Sequence, residues 1–239
     1  MSNLINLLVL FLFAGLAFAA SKPHVISFGK PISAKWFVGA DESYPLDIKV
    51  RALYVDSRLK EFTLGSPHDV TDHFFVVRRA FHVNDALPEE GTAIPRWKWQ
   101  RGGWLLVDRV SGHISQLILA EFDTYYSAPS WYRDYVAYCG VSDDGKKLYV
   151  VVAQLGRKKP ILKKSLGEAT VLDPDVFASN RQSPDKPSED LPDSECPAPT
   201  WQRQPARVTF TSRGQTFTYS VRGHDAEVLE VAGDEEGTE

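Results

Sequence analysis

Between residues 131 and 166 apolar and polar positions fall in blocks that predict three short strands and two tight turns. Tyr135, Val136, Ala137, Tyr138 and Cys139 form a run rich in aromatic and β-branched residues, which suits a pleated surface. Ser142, Asp143, Asp144 and Gly145 follow as a reverse turn: Ser and Asp bond to nearby backbone, and Gly takes a positive φ. Residues 148–153 are then apolar at every position, the pattern of a strand covered on both faces. Gly156 and Arg157 make the second turn. The last run carries Pro160, Lys163 and Lys164. Proline cannot donate to a ladder and lysines guard free edges, so this run is an edge strand. The stretch predicts a meander with a buried middle strand.

The same pattern recurs along the chain. ALYVDSRLKEFTLG from Ala52, WLLVDRVSGHISQLIL from Trp104, LYVVVAQLGRKKPILKKSL from Leu148 and FTYSVRGHDAEVLEV from Phe217 each read as strand, tight turn, strand. Their turns fall at Ser57-Arg58, Ser111-Gly112, Gly156-Arg157 and Arg222-Gly223. A further strand is expected before each hairpin, over residues 33–38, 74–83, 131–139 and 206–212. The first three hairpins start about 45–55 residues apart, the period of a propeller blade. Ala128-Pro129-Ser130-Trp131 also returns as Ala198-Pro199-Thr200-Trp201. The expected fold is all-β, with repeated antiparallel meander sheets in a small or incomplete β-propeller-like arrangement. A twisted β-sandwich or barrel fits the same strand pattern.

The stretch PSWYRDYVAYCGVSDDGKKLYVVV, from Pro129, resembles a blade of TolB-type and related β-propellers, in which P-x-W leads through S-x-D-G into a strand. The resemblance covers residues 128–166 and implies a blade architecture there. The chain as a whole also resembles exported bacterial proteins, a likeness that implies no activity.

Residues 1–20 read as a signal peptide: residues 4–19 are almost wholly apolar and end in the small-x-small site Ala17-Phe18-Ala19. No Lys or Arg precedes the apolar run, so retention as an anchor is the alternative to cleavage. No later segment is long and apolar enough to span a bilayer. The expected location is periplasmic or extracellular. Residues 21–172 would hold three sheet repeats and residues 200–232 a fourth. Residues 173–199 read as a Pro-, Ser- and Asp-rich surface linker and residues 233–239 as an acidic tail. The net charge of -4 carries no bulk basic character that would point to nucleic acid. The two cysteines, Cys139 and Cys196, are a disulfide candidate in an oxidising compartment; the alternative is a buried thiol in a strand and an unrelated loop thiol.

Two stretches could carry chemistry. His68, Asp69, Asp72 and His73 have the donor types of a divalent-metal site, but the His spacing of five would not place both rings on one face of a strand. A polar loop with local Asp turns is the expectation, and metal ligation the alternative. In Arg96-Trp97-Lys98-Trp99-Gln100-Arg101, an extended backbone puts Trp97 and Trp99 on one face. They either stack on a sugar or aromatic ligand, with Arg adding cation–π attraction, or fill the core as Trp36, Trp131 and Trp201 are expected to. Core filling is the expectation for both.

No G-x-S-x-G, H-E-x-x-H, Walker-type loop or C-x-x-C occurs, and no Ser sits in a nucleophile context. No catalytic residue and no cofactor is implied. The expected function is an exported, non-catalytic binding or scaffolding protein of the cell envelope, with an envelope protein or a glycan as partner. Trp97, Trp99, Arg96, Arg101, His68 and His73 are its expected binding residues. The alternatives are a hydrolase using the loop from His68 to His73, with or without a metal, and a carbohydrate-binding module using Trp97 and Trp99.

Overall fold

The structure is a computed structural model that describes residues 24–37, 45–84, 96–169, 196–223 and 225–233. The expected signal peptide, nearly all of the linker and most of the acidic tail lie outside the described residues. The fold is all-β, built of repeated antiparallel meander sheets, with no helix among the described residues. No helix there is therefore long and apolar enough to cross a membrane.

The meander expected at residues 131–166 is the second of three sheets among the described residues. Its strands are β8 (Ser130–Tyr132), β9 (Tyr135–Val141), β10 (Lys147–Gln154) and β11 (Leu162–Glu168), in the order β11-β10-β9-β8. Val151 on β10 pairs with Tyr138 on one side and Lys163 on the other, so the all-apolar run is the inner strand and the lysine strand an edge. Residues 131–139, expected as one strand, are two. The chain turns at Arg133, which holds a φ of 52°, and the following backbone runs back against β8. In the Ser142 to Gly145 turn, Gly145 N–H donates to Ser142 O at 2.8 Å. The Ser142 hydroxyl and the Lys146 N–H both donate to Asp144 and hold its carboxyl below the usual value.

The third sheet repeats the second: a short strand, a turn, then a meander. It comprises β12 (Thr200–Gln202), β13 (Arg207–Ser212), β14 (Gln215–Arg222) and β15 (Asp225–Gly233), paired in sequence order. The repeated A-P-x-W places Trp131 and Trp201 at matching positions of β8 and β12, and these strands adjoin. Trp201 Nε1 donates to Ser130 O at 3.0 Å, and the Tyr132 and Trp201 rings lie 5.4 Å apart. Between the two sheets, Ala137, Cys139, Leu148, Val150 and Val152 pack against Val208, Phe210, Phe217, Tyr219 and Val221. The candidate pair Cys139 and Cys196 forms a disulfide across this core, with Cα atoms 6.1 Å apart.

The other face of the second sheet buries Val136, Tyr138 and Val151 beneath Leu119 and Phe122. The connecting backbone presses close there. A Cβ on Gly140 would stand 2.6 Å from Glu121 O, which explains the absence of a side chain at that position. Tyr138 donates its hydroxyl to Ala120 O at 2.6 Å, and burial raises its pKa.

The first sheet has seven strands: β1 (Ile26–Phe28), β2 (Ile32–Trp36), β3 (Leu46–Val55), β4 (Arg58–Asp69), β5 (Phe74–Asn84), β6 (Trp97–Asp108) and β7 (Ile114–Leu117). The hairpins beginning at Ala52 and Trp104 both lie in it. Antiparallel pairing runs from β2 through β3, β4 and β5 to β6, and β6 meets β2 again at one parallel bridge, Trp36 to Trp99. The sheet thus curls until its ends touch, short of a fully hydrogen-bonded barrel. On β3, Ile48 and Val50 face one core with Trp36, Leu64 and Ala80, whereas Leu53 faces another with Phe75, Val77, Leu105 and Val107.

Two outcomes test this fold. Val151 is fully buried, so Val151→Asp places an unpaired charge between packed layers and is expected to abolish cooperative unfolding by circular dichroism. The unreduced protein is expected to show no free thiol on denaturation. Reduction of a bond that closes 57 residues of sequence separation is expected to cost about 2–4 kcal/mol in urea unfolding.

Candidate binding surface

Strand β6 starts at Trp97, and its alternation sends Trp97, Trp99 and Arg101 to one face. The register sets Asn84 opposite Trp97, His82 opposite Trp99 and Ala80 opposite Arg101. Phe62 on β4 lies opposite Ala80. An aromatic row results. The Trp97 and His82 ring centroids are 6.0 Å apart, those of His82 and Trp99 3.5 Å, and those of Trp99 and Phe62 5.1 Å.

The row grades from solvent into the core. Trp97 is 63% exposed and His82 is exposed, whereas Trp99 and Phe62 are half-buried against the Trp36 cluster. Arg101 continues inward, its guanidinium carbon 4.2 Å from the Trp36 ring centroid. Trp36 stacks on Tyr125 at 5.7 Å, and the Tyr125 hydroxyl donates to Gln100 Oε1 at 2.9 Å. Arg96 N–H donates to the Asn84 side chain at 3.0 Å, which ties the start of β6 to the end of β5.

The expectation that both indoles fill the core is corrected for Trp97. It is the first residue of its strand, at the open end of the sheet, where the Trp36 cluster does not reach it. Trp36 is fully buried as expected, and Trp131 and Trp201 are half-buried. His82 and Phe62 escaped the sequence reading, because only the register shows that they adjoin the two indoles.

The stretch from His68 to His73, expected as a polar loop, is a loop only over residues 70–73: His68 and Asp69 end β4, paired with Val76 and Phe75, and His68 joins the first sheet to the second. His68 Nε2 donates to Arg133 O at 2.9 Å, and its ring stacks on Trp131 at 5.9 Å. Trp131 in turn meets Trp104 edge-on at 5.2 Å. Arg109 clasps the other end: it pairs with the Asp69 carboxylate, donates to Thr71 O at 3.3 Å and Asp72 O at 3.5 Å, and lies over Phe75. His73 instead lies near Asp108, whose carboxyl is held low chiefly by the Ser111 hydroxyl and the Val110 N–H. The two histidines therefore serve different neighbours. Among the described residues no three His, Cys, Asp or Glu side chains come together as a metal-ligand set.

Arg78 supplies a second buckle. Its guanidinium donates to Thr124 O and to Gly102 O at 3.4 Å, joining the 119–126 segment to the first sheet. Burial, with Arg101 nearby, pushes its pKa down to about 9.

No protein-family model matches this chain, and no curated protein matches it either.

The grading of the row has a measurable consequence. Trp97→Ala removes a mostly solvated ring and is expected to change unfolding free energy by less than about 0.5 kcal/mol. Trp99→Ala empties part of a packed cluster and is expected to cost about 1–3 kcal/mol. Urea denaturation of the two variants side by side checks the order; equal losses would place Trp97 in the core.

Proposed function

We propose that this chain is an exported, non-catalytic binding protein of the cell envelope, with the Trp97–His82–Trp99–Phe62 row as its recognition face. The observation that carries this reading is the exposure of Trp97 at a strand end, backed by rings already packed into the core. Trp is enriched among residues that dominate interface energetics, and a ring fixed by its scaffold loses little freedom on binding. Two independent features support export. The disulfide belongs to an oxidising compartment, and the first 20 residues have the pattern of a signal peptide.

The partner presents an apolar or CH-rich face to the indole. An envelope protein does so through aliphatic side chains, and a glycan through the axial hydrogens of a sugar ring. The hydrolase reading gains no observation, because His68, Asp69 and the backbone at Asp72 are occupied in joining structural elements.

The test is capture by the disulfide-bonded protein. Envelope extract and a glycan array are each probed with the parent and with Trp97→Ala. The parent is expected to retain one class of partner, and Trp97→Ala is expected to lose about 2 kcal/mol, roughly 30-fold in affinity, with melting unchanged. Equal retention by a Trp97→Ala variant that melts like the parent would overturn the assignment of this face.

A further inference from the structure

A second concave surface lies in the first sheet, between β4, β5, β6 and β7. It is an open cleft of about 360 Å³ lined by Lys60, Glu61, Arg79, Leu105, His113 and Gln116, with Ile114 and Gly112 completing it. The size falls at the lower end for small-ligand sites. Four strands and a turn build it. Arg79 on β5 lies opposite Thr63 on β4, and Leu105 on β6 pairs with Gln116 on β7. The β6–β7 turn brings His113 to the rim. Gly112 holds a φ of +66° there, and a Cβ on it would stand 2.8 Å from Val55 Cγ1.

Apart from Glu61, the polar side chains of this cleft can all donate. Glu61 accepts from Arg79 Nε at 3.0 Å, which neutralises the carboxylate and fixes the guanidinium plane. The terminal nitrogens of Arg79, the Lys60 ammonium and the Gln116 amide make no hydrogen bond among the described residues. Lys60 and Arg79 against Glu61 leave the cleft locally positive, in a chain whose net charge is -4. A guanidinium held by one edge offers its remaining N–H groups as a fork, the geometry that matches a carboxylate or phosphate. Beside this fork stand Leu105, buried, and Ile114, half-buried, a short apolar wall.

We propose that this cleft binds a small oxyanion, a carboxylate or a phosphate, with its charged group on Arg79, Lys60 and Gln116. Any short apolar body it carries lies on Leu105 and Ile114. The site uses none of the aromatic-row residues and stands whether or not that row binds a partner.

The experiment uses the ¹⁵N-labelled, disulfide-bonded protein titrated separately with inorganic phosphate, butyrate and chloride. The Gln116 side-chain amide and the Gly112 and His113 backbone amides are followed by NMR. A saturable shift of these signals is expected with phosphate or with butyrate and not with chloride; the anion that saturates names the class. Lys60→Gln, an exposed position, is expected to weaken that binding about tenfold with unchanged melting, and Gln116→Ala to weaken it less. Absence of saturation with both oxyanions, an equal response to chloride, or an unaltered affinity in Lys60→Gln would overturn the proposal.

Discussion

The second and third sheets are arranged around the need to cover β10 on both sides. Val150, Val151 and Val152 are consecutive and fully buried, and consecutive residues of a strand point to opposite faces. One face must therefore find an apolar partner layer, and so must the other. The third sheet supplies the first cover through Val208, Phe210, Phe217 and Tyr219. The segment after β7, with Leu119 and Phe122, supplies the second and leads back to the first sheet. A chain segment that was covered once would leave apolar surface in water at about 25 cal/mol per Å². The disulfide acts on the same constraint, because it ties Cys139 on β9 to the start of the third sheet.

Polar side chains are spent on fastening turns and connecting segments to the sheets. Arg109 gathers Asp69 and two loop carbonyls, Arg78 gathers Thr124 and Gly102, and His68 reaches Arg133. Each turns at least one donor on a backbone oxygen, and Arg109 holds a carboxylate as well. Of these contacts, Arg78 satisfies part-buried carbonyls, whose loss of a partner is costly, and His68 ties the first sheet to the second. That use explains why the richest cluster of His and Asp in the sequence is a fastening and why its two histidines diverge.

What could be read in advance was local. The run from residue 148 to 153 needs no knowledge of partners to be recognised as doubly buried, and the lysines of β11 mark an edge by their own chemistry. The cysteine pair was legible as a candidate, though the geometry that joins it depends on how two sheets face each other. The break at Arg133 was not legible, since Tyr, Arg and Asp in sequence carry no Gly or Pro signal. The parallel bridge from Trp36 to Trp99 was hidden for another reason: it joins strands that approach only after four antiparallel ladders have curled the sheet. The same logic divides the candidate surface. The alternation that puts Trp97 and Trp99 on one face is local, but His82 and Phe62 enter through cross-strand register.

The exposure of Trp97 is then a consequence of strand length set against core extent. The cluster around Trp36 reaches Trp99 and Phe62 and stops, while β6 begins two residues earlier. A ring at that position cannot be drawn inward without shifting β6 against β5. Such a slip by one residue would turn Trp99 and Arg101 to the opposite face and unmake the contacts on Trp36. The buried half of the strand therefore holds the exposed indole in place. Trp99 and Arg101 serve the core, and the register that secures them also fixes the geometry of the exposed indole two residues away, the one proposed as the recognition face.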